Sequence, residues 1–135
     1  MTMAGVHFPL NALYSLVKHH IGMNKRFDTS NEAEFSLLYF EYVGGNQKTI
    51  THVFKKVLRD SDVIFNMGDD FLLFLPYTDW NGAMKVLEGL QTFLERKEED
   101  TIVTYPDDSD DPRELLILLN KHVERCFDKT ISFTL

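Results

Sequence analysis

The chain has 135 residues, a formal net charge of −7 and 44% hydrophobic residues, which suits one domain, 1–135, able to bury a core and excludes a disordered chain. The acidic balance argues against nucleic acid and anionic membrane surfaces as partners. A single cysteine, Cys126, leaves no internal disulfide and fits a reducing, cytoplasmic setting.

The start, Met1 to His7, has no basic segment followed by a long apolar one, so no signal peptide is expected. No apolar run approaches spanning length, so no membrane insertion is expected. Pro9 to about Lys25 predicts a helix. Leu10, Leu13, Tyr14, Val17 and Ile21 share one face, Pro9 suits the first helical position, and Gly22 weakens the end. His19 and His20 are sequence neighbours, so they point apart on a helix and form no metal pair; both are expected on a solvated face.

Residues 28–34 are a polar connector. Phe35 to Val43 then predicts a strand, apolar enough to be central and covered on both faces, with Glu41 near its end. Gly44-Gly45-Asn46 marks a turn. Thr49 to Leu58 predicts a second helix with Ile50, Val53, Phe54, Val57 and Leu58 inward. Lys48, Lys55, Lys56 and Arg59 form a solvated basic edge.

Residues 62–76 have the outline of a β-hairpin, with Gly68, Asp69 and Asp70 at its tip. Thr78 or Asp79 caps a third helix, whose apolar face runs through Trp80, Ala83, Val86, Leu87, Leu90, Phe93 and Leu94. Thr101 to Tyr105 predicts a short strand. The aspartates of 107–111 lack the spacing of an EF-hand loop. They read instead as a solvated loop leading to an N-cap, with Asp111, Pro112 and Glu114 opening a helix that runs to about Phe127. Ile131 to Leu135 predicts a last short strand. The implied class is α+β: a mixed, mainly antiparallel sheet flanked by helices.

Several stretches, in order, resemble the GGDEF domain of diguanylate cyclases, a nucleotidyl-cyclase palm-like fold. They are Pro9-Leu-Asn-Ala-Leu-Tyr-Ser15, Phe35-Ser-Leu-Leu-Tyr-Phe-Glu-Tyr-Val43, Met67-Gly-Asp-Asp-Phe71, Thr78-Asp79-x-x-Gly82-Ala83 and Val103 to Leu116. The resemblance implies a reaction in which two GTP molecules, each held by one domain of a dimer with magnesium, condense to cyclic di-GMP. It also implies positions for the machinery. Glu41 falls at the first metal carboxylate, and Asp69 at the metal-binding and catalytic carboxylate of the hairpin. Asp70 and Phe71 follow it, and Met67 and Gly68 take the places of the two glycines. Arg59-Asp-Ser-Asp62 has the form of the family's cyclic di-GMP inhibitory site.

The sequence departs from that pattern where the chemistry is most demanding. Val43 replaces the second metal aspartate and cannot ligate. Met67 puts a side chain where the nucleotide belongs. The segment after Gly44 is shortened, and no guanine-reading residues are placed on it; Asn46 and Lys48 are remnants at most. Losing several charge-stabilising groups together costs many factors of ten in rate. The expectation is a degenerate, catalytically inactive GGDEF-like domain acting as a regulatory or protein-interaction module in bacterial signalling, with a protein partner or a second copy. The remnant positions are Glu41, Met67, Gly68, Asp69, Asp70 and Phe71, with Asp69 and Asp70 solvated. The first alternative is an effector that binds cyclic di-GMP at Arg59 and Asp62, or GTP, without turnover. The second is a residual cyclase using Glu41, Asp69 and Asp70. No cofactor is expected, and magnesium on Glu41 and Asp69 enters only with residual nucleotide binding.

Overall fold

In the computed structural model, residues 6–26, 34–42, 46–67, 70–94 and 101–131 are described. Their order is β1 (Val6–Phe8), a 3-10 turn (Leu10–Ala12), α1 (Leu13–Arg26), β2 (Phe35–Glu41), α2 (Gln47–Val57), β3 (Val63–Met67), β4 (Asp70–Pro76), α3 (Trp80–Leu94), β5 (Ile102–Tyr105) and α4 (Pro112–Phe127). The five strands form one sheet in the order β1-β3-β4-β2-β5. Only the β1–β3 pair is parallel; β3–β4, β4–β2 and β2–β5 are antiparallel.

That order follows from two interlocked crossovers. β2 and β3 both run antiparallel to β4, which lies between them, and α2 connects them across a face. β4 and β5 flank β2 in the same way, connected by α3. Crossovers of one hand place both helices on the same face of the sheet. There Ile50, Val53 and Phe54 of α2 and Ala83, Leu87 and Leu90 of α3 pack on Leu38, Phe40, Ile64, Phe71 and Leu73. The other face is covered by α1 and α4, through Leu13, Val17, Ile21, Leu115, Leu116, Leu119 and Val123. Alternate residues of β2 therefore feed opposite cores, as the period of two in a strand requires. Leu37 and Tyr39 face α1 and α4, and Leu38 and Phe40 face α2 and α3. Covering both faces is what makes β2 and β4 nearly continuous in apolar residues.

Several boundaries differ from the sequence expectation. Pro9 is extended (φ −70°, ψ 150°) and precedes a 3-10 turn, so the first α-helix begins at Leu13. Its end, at Arg26, is close to the one expected, with open space where a Cβ on Gly22 would stand. β1 was not expected. Its three residues are exposed, and the pairing with β3 that defines it is a tertiary contact. α2 starts earlier than expected, at Gln47, because Asn46 caps it by accepting from the Lys48 N–H at 2.8 Å. Asp79 caps α3, its Oδ1 accepting from the Gly82 N–H at 2.8 Å. Trp80, expected inward, is 42% exposed at the first position of α3. The side chains of Phe93 and Leu94 lie outside the described residues. The start of α4 matches expectation: Asp111 accepts from the Arg113 N–H at 2.9 Å, and Pro112 stands in the first turn. The predicted last strand falls largely on residues 132–135, outside the described residues, and Ile131 itself is not in a strand.

Candidate functional site

The C-terminal end of β2 and the N-terminal end of β4 lie side by side, with Glu41 opposite Asp70 in the antiparallel register and Met67 of β3 opposite Asp70 on its other side. Tyr39, two residues before Glu41, points to the same face. The sheet thus brings Tyr39, Glu41, Met67 and Asp70 to one strand end beneath α1 and α4.

Asp70 is not solvated, contrary to the sequence expectation. It is only 8% exposed, and its Oδ2 accepts from the Tyr39 hydroxyl and, at 3.0 Å, from the Lys129 ammonium. The same Lys129 Nζ also pairs with Glu41 Oε2. One ammonium therefore bridges both carboxylates. Its pKa is raised above the ordinary lysine value, first by the hydrogen bond to Glu41 and then by the bond to and charge of Asp70, with partial desolvation opposing. Lys129 arrives just past the end of α4. Asp128 takes the left-handed conformation (φ 55°) at the C-cap, its N–H donating to Glu124 O at 2.9 Å, and turns the chain back over the strand ends. Lys129, Thr130 and Ile131 then join Leu10, Tyr39, Met67 and Asp70 around a cavity of about 170 Å³.

Gly68 and Asp69 lie outside the described residues, as does Val43. Phe71, next to the site, faces the opposite core. It is buried there, stacked on Phe40 (centroids 5.5 Å) and edge-on to Phe54 (5.2 Å). Its role is packing, worth about 1.5–3 kcal/mol for a fully buried side chain of this size. Met67 is half-buried and packs against the core under α1 and α4. Among the described residues, no group of three or more His, Cys, Asp or Glu is placed to hold a metal ion. The described residues at the strand end do not fit a magnesium site: both carboxylates present there already share a cation, and Tyr39 takes a further lone pair of Asp70.

At the other end of β4 lies the Arg59 and Asp62 pair. Asp62 is 1% exposed and accepts twice from one residue: the Arg59 backbone N–H at 2.8 Å on Oδ2, and the Arg59 guanidinium at 2.9 Å on Oδ1. The same guanidinium nitrogen donates to Pro76 O at 2.7 Å and Thr78 Oγ1 at 2.8 Å. Arg59 is thus drawn out of the solvated basic edge expected for it, although its side chain remains 52% exposed. It ties the start of β3 to the end of β4. Both residues line an open cavity of about 680 Å³ together with Glu34, Tyr77 and Asp79. The Glu34 carboxyl titrates above its ordinary value, through desolvation and then the nearby charges of Asp107 and Asp79. Around Arg59, the described walls of that cavity carry the carboxylates of Glu34, Asp62 and Asp79.

His20 corrects a further expectation. It packs edge-on against Phe35 (5.2 Å) and Phe74 (5.4 Å) under Tyr77, and its pKa is lowered by desolvation and then by His19. Sequence reasoning missed Tyr39 and Lys129. The period-two spacing of Tyr39 from Glu41 carried a usable signal for the first. Nothing local signalled Lys129, which is 59 residues from Asp70.

No family model matches the chain, and no curated protein is similar to it in sequence. The crystal structure of a DGC protein from Thermotoga maritima is similar in fold, with a TM-score of 0.59 at 14% identity over 85% of this chain and 94% of that one. The fold is a GGDEF-like palm: a five-stranded, mostly antiparallel sheet with helices on both faces. Among the described residues, no helix is long and apolar enough to cross a membrane.

Proposed function

We propose that this chain is a non-catalytic GGDEF-like domain, acting as a regulatory or protein-interaction module in the cytoplasm of a bacterium. One observation carries the reading: the Lys129 ammonium bridges Glu41, at the position of the first metal carboxylate, and Asp70, the neighbour of the hairpin carboxylate Asp69. Nucleotidyl transfer depends on divalent ions to offset phosphate charge and align the attacking hydroxyl. A tethered monovalent ammonium supplies one charge, fixed in place, with no open coordination position for a phosphate oxygen. Met67 and the shortened segment after Gly44 support the same reading from the sequence. The partner is a second protein or a second copy of the chain.

The test is direct. The purified domain incubated with GTP and Mg²⁺ or Mn²⁺ is expected to make cyclic di-GMP at less than about 10⁻³ of a median enzyme turnover near 10 s⁻¹. Turnover at ordinary enzyme rates overturns the reading and restores the residual cyclase.

A nucleotide-binding effector is the second reading. Its support is the half-exposed Arg59 guanidinium on the wall of the 680 Å³ cavity. Against it, Asp62 already has both oxygens engaged by Arg59, and Glu34 and Asp79 on the same walls oppose an anionic ligand. Calorimetry with cyclic di-GMP and with GTP separates the two readings. Heat abolished by Arg59→Ala favours the effector.

A further inference from the structure

We propose that residues 128–131 form an autoinhibitory strap, in which the Lys129 ammonium occupies the space between Glu41 and Asp70 and keeps that pair closed to divalent ions. The inference rests on the non-catalytic reading and adds the device that maintains it.

The strap is anchored at both ends, so the position of Lys129 is set by more than its own charge. At the near end, Asp128 takes the left-handed turn and its N–H closes the last turn of α4 on Glu124 O. At the far end, the Asn120 side chain grips the Ile131 backbone twice: Oδ1 accepts from the Ile131 N–H at 2.9 Å, and Nδ2 donates to Ile131 O at 3.2 Å. The Ile131 side chain is buried in the core beneath α1 and α4. Between these anchors the backbone of Lys129 is held beside the strand end, and its ammonium reaches Glu41 and Asp70.

The electrostatics then favour exclusion. Glu41 and Asp70 together carry two negative charges. Lys129 neutralises one at contact distance and directs its N–H donors at both carboxylates. A divalent ion entering the same space must displace the ammonium or sit within a few ångströms of a like charge. Displacement breaks both contacts, while Asn120 and the buried Ile131 keep the backbone from which Lys129 reaches beside the pair. Without the ammonium, two carboxylates on adjacent strands, with water completing the shell, are a weak oxygen site for a hard cation.

Paramagnetic broadening by Mn²⁺ in amide-resolved NMR of the full chain tests this, and the same spectra report whether each variant is folded. With about 1 mM Mn²⁺, in the range of weak all-oxygen sites, wild type is expected to keep the amide intensities of Glu41 and Phe71. Lys129→Met is expected to lose at least about half of them at that concentration, and Lys129→Arg to behave as wild type. Asn120→Ala, which frees the strap without touching either carboxylate, is expected to gain partial broadening and keeps the proposal testable if Lys129→Met does not fold. Selective broadening in wild type overturns the strap, as does its absence from both Lys129→Met and Asn120→Ala. GTP turnover is read separately, so an active wild type that still excludes Mn²⁺ in the absence of nucleotide defeats the non-catalytic reading and leaves the exclusion standing.

Discussion

The two ends of β4 each hold a buried aspartate bound to a basic side chain, and they are built in opposite ways. At the Pro76 end, Asp62 and Arg59 are three residues apart, and the aspartate is held by a backbone N–H as well as by the guanidinium. At the Asp70 end, the cation comes from beyond α4, serves two carboxylates on neighbouring strands, and meets a tyrosine hydroxyl on one of them. The first arrangement starts as a turn lock within three residues, and its guanidinium reaches on to Pro76 and Thr78. The second exists only when the whole sheet and α4 are in place. The short Arg-x-x-Asp motif makes a contact of its own here, with the guanidinium still half exposed. A lysine with no motif at all bridges two carboxylates on neighbouring strands, Glu41 and Asp70.

That contrast can be broken by substitution. Asp62→Ala is expected to have the largest effect. It removes a charge-assisted bond from a backbone N–H and leaves the Arg59 guanidinium with only neutral acceptors, a loss of about 2–3 kcal/mol in urea unfolding. A cost well below 1 kcal/mol indicates that water replaces the carboxylate and that the lock is not structural.

Lys129→Met is expected to cost less, about 1 kcal/mol at neutral pH, because the lysine side chain is 39% exposed and solvent screens the pair. The pH dependence has a definite sign. The folded-state pKa of Lys129 is raised, so its contribution is fully present below the ordinary lysine value and is lost as pH rises through the folded one. Wild type should thus lose part of its stability above about pH 10, and Lys129→Met should lack that component. Parallel alkaline curves for the two proteins contradict the bridge.

The smallest expected effect lies at the Pro76 end, with His20. Its pKa is lowered by desolvation and then by His19, so the unfolded chain binds the proton more readily. Stability should fall as pH drops from about 6.5 through the lower folded value, by under about 1 kcal/mol in total for a half-buried ring. His20→Phe, which keeps a ring among Phe35, Phe74 and Tyr77, should flatten that slope. An unchanged slope assigns the acid sensitivity to another group.

The sequence by itself determined the secondary elements that propensity and patterning control. The apolar run of Phe35 to Phe40 reads as a central strand because only a strand covered on both faces tolerates it. The start of α4 was legible because Asp111 and Pro112 act within one turn. The hairpin was legible because two apolar runs flank a turn, and the GGDEF-like architecture because several stretches, in order, resemble that family. Tertiary structure alone decided the rest. β1 is only three residues long and is defined by its pairing with β3. His20 left the solvated face because the α1 register points it at the aromatic rings of β2 and β4. Asp70 left the solvated tip because Tyr39 and Lys129 close over it. Local sequence reports propensities and periodicities, whereas the partner of a charge 59 residues away is set by sheet order and by where a helix ends.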